Sequence, residues 1–575
     1  MFYKYSCIRV SLLLVTLVFM HTSSASSVHS SQLNTGDIER FEIDPSNQYV
    51  VYNEFDLKGE LNRFSSLLIE KSNAVKIANS INTRNENRFW IEPENLKVLH
   101  QAASETTIIS TAIEGDNSPT ILSSFSPSEP SGELQSINKL VVSDDSNLVY
   151  FSTLEGGLYK TPSNGETPAT DLVSRMTVDR FSLSPNQEFI VFSTNSDHRQ
   201  IFFVPTLGDT PPVFLANLPE AIAINNLSIS PDNEKILFTV EFLDRNPTQI
   251  QLFSIALNAQ PALRALSDPL IGNDIAMRFK ITKDSNSVIY STLDRDQEVG
   301  QLFSSTINQA SSPVLLDTAF EIHDFKFNTT KLQVVYSRTI AKNEIRFFNG
   351  NEFTLADIVD IASIDISGGA DPFTVSMPFE QTINSGDETL FIKSFNFNSV
   401  NTNVEFALSD DGEFVYYVAD TSNIFSNASA TNLYQVSSNE LCIRKQLNST
   451  LSNQNETTSV TDFTLIEDGN RVLYTANENT PTVNQLFSVT TASTSCTTAD
   501  TLPSRNKLSL SAVELGNVTQ FDVSSDERYV VFSAFNESQG QHNLHSIQLE
   551  EQSANVAETC FPIKNKTGKI NMICF

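Results

Sequence analysis

The sequence predicts an all-β protein, a β-propeller built of about ten four-stranded blade repeats. Two observations support this fold class. A nine-residue motif recurs along the chain, and long apolar patterns of helical period are absent after the first residues. In the motif, a polar turn precedes two or three apolar residues that end on an aromatic residue or a histidine. Its ten copies begin at Asp44, Glu92, Ser143, Ser184, Ser230, Thr282, Asn328, Ser409, Ile466 and Ser524.

The spacing of the copies suits propeller blades. Successive copies begin 41 to 81 residues apart, and only one interval exceeds 58 residues. Blades of about 40–50 residues with loops of variable length give such a spacing. The longest interval, between Asn328 and Ser409, predicts an inserted loop at about 339–361 and a degenerate eleventh copy at 383–394.

Each copy predicts the same strand order, and the fifth copy illustrates it. The alternating segment 226–229 predicts a first strand with one buried face. The cluster 231–233 predicts a turn, because Asp and Asn bond their own backbone and tolerate left-handed conformations. The segment 235–238 predicts a second strand that is apolar on both faces, as a strand sandwiched between blades requires. A third strand follows at 252–255, and a more polar fourth strand closes most units.

The motif resembles the propeller repeat of the TolB type, also called PD40 or WD40-like. The residues concerned are S-P-D-x-x-x-Φ-Φ-F/Y followed by L-F/Y-x-Φ, over about 44–563. The motif is also similar to the propeller of prolyl oligopeptidases and dipeptidyl peptidases. The TolB resemblance implies an exported scaffold whose loops hold a protein, peptide or glycan partner. This chain departs from the pattern because most copies lack the glycine usual at the end of the turn.

The repeat number leaves two organisations open. Ten units exceed the four to eight blades of most single rings. The sequence favours two propellers, 33–315 with copies one to six and 316–575 with copies seven to ten, over one ten-bladed ring. No linker rich in Pro, Gly or Ser marks the division.

The N-terminus predicts export. Residues 1–25 read as a signal peptide, since Lys4 and Arg9 precede an apolar run at 10–20 and small residues end at Ala25. An uncleaved anchor is the alternative, but the run is short for a span of about 20 residues. We expect a periplasmic or extracellular protein that has no transmembrane segment after cleavage.

The charge balance restricts the partners. The chain has 37 basic and 68 acidic residues, a formal net charge of -31. Such a surface repels nucleic acid and anionic lipid. It would suit a cationic partner, divalent cations or simple solubility.

The four cysteines after the predicted cleavage site are Cys442, Cys496, Cys560 and Cys574. An even number in an exported protein predicts disulfides, and three pairings of four cysteines exist. We favour Cys560 with Cys574 and Cys442 with Cys496. The absence of a CxxC pattern argues against a zinc site.

No motif predicts catalytic, cofactor-binding or metal-binding residues. The sequence lacks G-x-S-x-G, HExxH, P-loop and GxGxxG patterns. His100 and His545 fall on aromatic positions of the repeat, which predicts packed rings. His542 and His545 would lie on opposite faces of a strand, so a shared metal is not expected.

Calcium is the one ion that the sequence leaves open. The acidic segments 144–145, 294–296 and 410–411 offer clustered carboxylates. Asp is also the residue that such turns prefer, and we favour that structural interpretation.

Two classes of function remain. The first is a non-catalytic propeller that binds a protein, peptide or glycan. The second is a hydrolase or lyase with carboxylates in the propeller channel. The predicted first strands carry few titratable groups, of which Asp522 is one, so the sequence favours binding.

Overall fold

In the computed structural model, the described part of the chain consists of β-strands, turns and one short 3-10 helix, Glu467–Gly469. The predicted signal peptide, Cys442 and Cys496 lie outside the described residues. The structure describes residues 31–32, 37–55, 61–68, 74–78, 89–92, 97–101, 107–115, 119–124, 137–154, 156–173, 176–194, 199–242, 247–257, 262–308, 312–328, 332–341, 345–348, 351–354, 358–376, 379–385, 388–394, 406–420, 431–438, 445–449, 459–478, 483–491, 505–508, 517–536, 540–549, 560–564 and 570–574.

The strands form ten antiparallel sheets, called blades 1–10 in chain order, so the predicted fold class is confirmed. Strand β1 (Ser31–Gln32) belongs to blade 10. Blades 1 to 3 contain β2 (Asp37–Ile43), β3 (Tyr49–Phe55), β4 (Leu61–Leu67) and β5 (Val75–Ala78); β6 (Phe89–Glu92), β7 (Lys97–Gln101), β8 (Thr107–Ala112) and β9 (Thr120–Ser124); and β10 (Ile137–Val142), β11 (Leu148–Thr153), β12 (Leu158–Pro162) and β13 (Thr170–Asp171).

Blades 4 to 6 follow the same order, and blade 5 has a fifth strand. They contain β14 (Val178–Leu183), β15 (Phe189–Thr194), β16 (Arg199–Pro205) and β17 (Val213–Leu218); β18 (Ala221–Ile229), β19 (Lys235–Phe242), β20 (Thr248–Ala256), β21 (Leu263–Ala265) and β22 (Leu270–Gly272); and β23 (Ile275–Ile281), β24 (Ser287–Asp294), β25 (Val299–Thr306) and β26 (Val314–Ala319).

The remaining strands form blades 7 to 10 and three hairpins. Blade 7 contains β27 (Glu321–Asn328), β28 (Gln333–Ala341), β31 (Ile358–Asp365) and β32 (Phe373–Thr374), and the hairpins are β29 (Ile345–Phe348) with β30 (Asn351–Thr354), β33 (Phe379–Ser385) with β34 (Glu388–Ser394), and β46 (Cys560–Lys564) with β47 (Ile570–Cys574). Blades 8 to 10 contain β35 (Phe406–Leu408), β36 (Phe414–Asp420), β37 (Thr431–Ser437) and β38 (Lys445–Gln446); β39 (Val460–Ile466), β40 (Arg471–Ala476), β41 (Gln485–Thr490) and β42 (Arg505–Lys507); and β43 (Asn517–Val523), β44 (Tyr529–Asn536) and β45 (Gln541–Gln548) with β1.

The long interval between copies seven and eight contains both predicted features in altered form. The insertion lies between the second and third strands of blade 7, but it is shorter than predicted, because β28 continues to Ala341 and β31 begins at Ile358. The predicted eleventh copy is not a blade. In the described residues β33 and β34 pair only with each other.

The second strand of each blade is buried on both faces, as predicted. In blade 4, Ile190 and Phe192 pack against blade 3, and Val191 packs against blade 5. In blade 10, Val530 and Phe532 pack against blade 9. Successive residues of a strand point to opposite faces, so an uninterrupted apolar run contacts both neighbours.

Apolar clusters join consecutive blades throughout the described structure. One cluster combines Leu302 of blade 6 with Tyr336 of blade 7, across the position where the sequence favoured a division between two propellers. Another combines Phe41 and Tyr52 of blade 1 with Val531 of blade 10. Each blade thus packs against the next, and blade 10 packs against blade 1.

The turn of the motif contains a residue in the left-handed conformation. Asn47, Gln187, Asn233 and Glu527 have φ between 57° and 63°. A side chain in this conformation costs about 1–2 kcal/mol relative to the right-handed region. The turns therefore adopt the geometry of a glycine turn without a glycine.

The side chain at this left-handed position bonds the turn of the preceding blade. Asn47 Oδ1 accepts a hydrogen bond from the Ser525 amide at 2.9 Å, which links blade 1 to blade 10. Between blades 4 and 5, Asn233 Oδ1 accepts from the Asn186 amide at 3.0 Å. Glycine cannot make this bond, so a contact between blades accounts for the departure of these copies from the usual motif.

The N-terminal strand completes the last blade. Ser31 and Gln32 pair with Ser546 and His545 as the outermost strand of blade 10. This pairing ties the two ends of the described propeller region together.

We expect a chain that begins at Asp37 to melt at a lower temperature than one that begins at Ser26. The shorter chain lacks β1, which leaves the edge of β45 without its partner. Thermal unfolding followed by circular dichroism measures the difference, and a chain that begins at Ser30 is the control. Equal melting temperatures for all three chains would contradict a stabilising role for β1.

The C-terminal hairpin places the backbones of Cys560 and Cys574 directly opposite each other. Opposed residues of antiparallel strands have Cα atoms about 4.5–5.5 Å apart, which lies within the range of a disulfide. We therefore expect peptide mapping without reduction to recover Cys560 and Cys574 in one cross-linked fragment. Recovery of Cys560 linked to Cys442 or Cys496 would contradict this pairing.

Candidate functional site

The first strands of the blades, here called the inner strands, converge on one another. Side chains of one inner strand reach the backbone of the next: Lys139 of β10 donates to the Phe181 carbonyl of β14 at 2.7 Å, and Lys280 of β23 donates to the Phe325 carbonyl of β27. Polar groups from several blades are therefore brought together at the inner strands, which makes this region the candidate functional site.

A β-bulge recurs in the inner strands, immediately before a polar residue. The register shifts within β2, β10, β14, β27, β39 and β43. Bulges bend a strand and re-aim a side chain, and they are frequent beside functional sites. The residues that directly follow these bulges are Arg40, Lys139, Arg180, Asp324, Asp462 and Gln520.

Most of the cations at the inner strands contact the next blade. The Lys139 ammonium lies 4.9 Å from the centre of the Phe181 ring, and the Lys326 ammonium lies 4.9 Å from that of Phe406. Arg40 lies over the ring of Phe89. A cation over an aromatic face contributes about 0.5–2 kcal/mol, depending on its desolvation. These residues thus hold neighbouring blades together as well as charging the inner strands.

Three carboxylates with raised pKa values lie on the inner strands of blades 9, 10 and 1. Burial raises the pKa of Asp462, Asp522 and Glu42 above the ordinary carboxyl values. The charge of Asp522 adds to the effect on the pKa of Glu42, and Arg40 opposes it. The sequence identified Asp522, but Asp462 and Glu42 were not singled out.

The acidic turns use their carboxylates within the turn itself. Asp145 accepts a hydrogen bond from the Ser143 hydroxyl at 2.6 Å, and Asp411 accepts one from Ser409 at 2.6 Å. The Ser143 and Asn147 side chains lower the pKa of Asp145. In the segment 294–296, Asp294 accepts from the Gln297 amide at 3.1 Å. Within the described ranges, no three His, Cys, Asp or Glu residues are grouped as metal ligands require.

The two histidines at aromatic positions are packed rings, as predicted. His545 stacks on Phe532 at 5.3 Å between centroids, and burial lowers its pKa to about 4. Burial and the charge of Arg63 lower the pKa of His100 to about 3. Both rings are therefore neutral at physiological pH. His542 points elsewhere, with its Nδ1 2.9 Å from Asp37 of blade 1.

Blade 7 brings a hydroxyl, an imidazole and a carboxylate together. The Thr339 hydroxyl lies 2.8 Å from His323 Nε2, and His323 Nδ1 lies 3.7 Å from Glu321. The second distance is too long for a hydrogen bond, which a catalytic triad requires. Thr339 is also only 1% exposed, so a substrate has no access to its hydroxyl.

A buried charged network crosses from blade 6 to blade 7. Arg338 on β28 donates to Asp360 on β31 at 2.7 Å and 3.1 Å, and it also contacts Asp317 on β26. Tyr336 donates its hydroxyl to Asp317 at 2.7 Å. Removing one partner of a buried ion pair typically costs about 3–5 kcal/mol, so this network ties the two blades together.

Trp90 on the inner strand of blade 2 packs against the apolar cluster between blades 2 and 3. The sequence did not predict most of the charged residues on the inner strands. The prediction considered the residue after the aromatic position, such as Asp522. The residues that follow the bulges lie directly before that position. No sequence signal marks a bulge here, although a charged residue directly before the aromatic position recurs.

The strand order, the antiparallel blades and the packing between them define a β-propeller. No protein-family model matches the chain, and no curated protein matches it in sequence. The folded chain is similar to Porphyromonas gingivalis dipeptidyl peptidase 4, with 11% identity and a TM-score of 0.38, over 84% of this chain and 63% of that chain. It is also similar to a putative TolB from Agrobacterium tumefaciens, with 13% identity and a TM-score of 0.26, over 42% of this chain and 81% of that chain.

A third similar structure is hydrazine synthase of Kuenenia stuttgartiensis, with 11% identity and a TM-score of 0.30, over 48% of this chain and 78% of that chain. At these identities and TM-scores, the similarities carry no conclusion about site or activity. Among the described residues, no helix has the length and apolar character needed to cross a membrane.

We expect Asp462→Asn to raise the melting temperature at neutral pH. Because burial raises the folded-state pKa of Asp462, ionisation costs the folded state more than the unfolded state, and stability falls as pH rises from the ordinary value of 3.8 through the folded value. The amide removes that cost. Thermal unfolding over a range of pH checks the prediction, with the exposed Asp209→Asn as a control for net charge. A lower melting temperature for Asp462→Asn at neutral pH would contradict it.

Proposed function

We propose that this chain is an exported, non-catalytic propeller scaffold that binds a protein, peptide or glycan partner. One observation carries this proposal: five of the six Lys and Arg side chains described on the inner strands contact a neighbouring blade. Lys139, Lys280 and Lys326 each bond a carbonyl of the next inner strand. Groups that are committed to packing are poorly placed for proton transfer or nucleophilic attack.

The alternative, a hydrolase or lyase, keeps one supporting observation. Asp462, Asp522 and Glu42 lie on the inner strands of three successive blades, and their raised pKa values are a feature of many general acids. The blade 7 triplet does not add to it, since Thr339 is buried and the contact between His323 and Glu321 is long.

The same proposal includes one ring of ten blades in place of the two propellers that the sequence favoured. The cluster that joins blades 6 and 7, the Arg338 network and the packing of blade 10 against blade 1 all support a single ring. In such a ring the inner strands surround one channel, and the motif turns share one face.

The proposal also includes export, with cleavage of the signal peptide after Ala25 and no nucleic-acid partner. The positively charged start, the apolar run and the small residues before position 26 support cleavage. The net charge of -31 supports the exclusion of nucleic acid. We propose no resident cofactor. Calcium at the acidic turns would have to displace the hydrogen bonds of Asp145 and Asp411.

The test combines binding and turnover on the same samples. The exported protein, with Ser26 as its first residue, is assayed against peptide and glycan panels for saturable binding and for released fragments. We expect binding without turnover, and we expect the triple variant Glu42→Gln, Asp462→Asn, Asp522→Asn to show no turnover either. Turnover by the wild type that the triple variant loses would overturn the non-catalytic proposal and support the enzyme.

A further inference from the structure

Three lysines on the inner strands share one geometry. Each donates its ammonium to the carbonyl of an aromatic residue on the next inner strand, and each lies over the ring of that same residue. The pairs are Lys139 with Phe181, Lys280 with Phe325 and Lys326 with Phe406, with ring distances of 4.9, 5.0 and 4.9 Å.

The residue before the aromatic partner differs among the three. Beside Lys280 it is Asp324, whose carboxylate lies 3.0 Å from the ammonium. Beside Lys326 the sequence has Glu405. Beside Lys139 it is Arg180. Two of the three lysines thus have an acidic residue at this position in the sequence, and Lys139 has a second cation.

No side chain within the described ranges compensates these two cations. The nearest acidic residue in the sequence, Asp179, pairs with Arg199 at 3.3 Å. In the described structure, the Lys139 ammonium has its hydrogen bond and its ring contact with Phe181, and the Arg180 guanidinium has neither a hydrogen bond nor an ion pair. Partial burial and the charge of Arg180 lower the pKa of Lys139, which agrees with an unbalanced pair of charges.

Access to the pair is open. Lys139 and Arg180 are both exposed residues, and each directly follows a bulge in its inner strand. The two bulges therefore present the two cations on adjacent inner strands of blades 3 and 4. A bulge can re-aim a side chain, and bulges are frequent next to functional sites.

We propose that Lys139 and Arg180 together bind a single oxyanion. This anion would compensate Lys139 as the Asp324 carboxylate compensates Lys280. Arg180 supplies a planar pair of N–H donors that matches carboxylate, phosphate or sulfate, and Lys139 supplies a compact positive charge. The occupant is a small anion or one anionic group of a larger ligand, because a polyanion would be repelled by a chain of net charge -31.

This inference rests on the proposed function only in treating the inner strands as a binding surface. It specifies one chemical group that the ligand carries. A failure of oxyanion binding would leave the partner-binding proposal standing, and turnover in the peptide and glycan assay would leave this site standing.

The test titrates acetate, phosphate and sulfate separately into the full chain at constant ionic strength, with binding followed by calorimetry and by the melting temperature. We expect one saturable site per chain for at least one of the three, and their relative affinities identify the source of the anionic group. Arg180→Asp gives Lys139 an internal carboxylate, so we expect the affinity to fall by about tenfold or more with the fold retained. Arg180→Gln is the second variant, with a loss in the same direction.

Lys280→Gln is the matched control. It removes a lysine of the same geometry that already has a carboxylate partner, so we expect oxyanion affinity to stay unchanged. Absence of saturable binding to the wild type, equal affinity in the wild type and both Arg180 variants, or an equal loss in Lys280→Gln would each overturn the proposal.

Discussion

The burial of each second strand on both faces is the constraint on which the rest of the structure depends. Val191, Ile190 and Phe192 of one strand contribute to two different clusters, so a single blade cannot bury its own apolar surface. Each fully buried side chain of this size contributes about 1.5–3 kcal/mol. Most of this contribution is available only when both neighbouring blades are present. Blade packing therefore has to continue from each blade to the next.

Close packing of blades also explains the unusual motif turns. In most copies, a residue with a side chain occupies the left-handed position where glycine would cost least. Asn47 and Asn233 each use that side chain to bond the adjacent turn, at a gain of about 1 kcal/mol that offsets part of the backbone cost. The turn thus acts as a contact between blades as well as a reversal of the chain.

The inner strands carry charged groups from several blades, and their sequence alone does not reveal how these groups are paired. Lys280 with Asp324 and Lys139 with Arg180 are far apart in the sequence, and only the packing of adjacent blades brings each pair together. The first pair is neutral and the second is doubly positive. A difference of one residue on the neighbouring strand therefore separates an internal ion pair from a candidate anion site.

The sequence by itself determined the all-β class, the ten units and the strand order, because turn residues and apolar periodicity act locally along the chain. It also located the packed positions of His100 and His545. The tertiary structure alone decided the bulges, the hydrogen bonds between turns and the partners of the inner cations. Those features depend on contacts between residues that are dozens to hundreds of positions apart, as Asn47 and Ser525 are, and no local pattern encodes such distances.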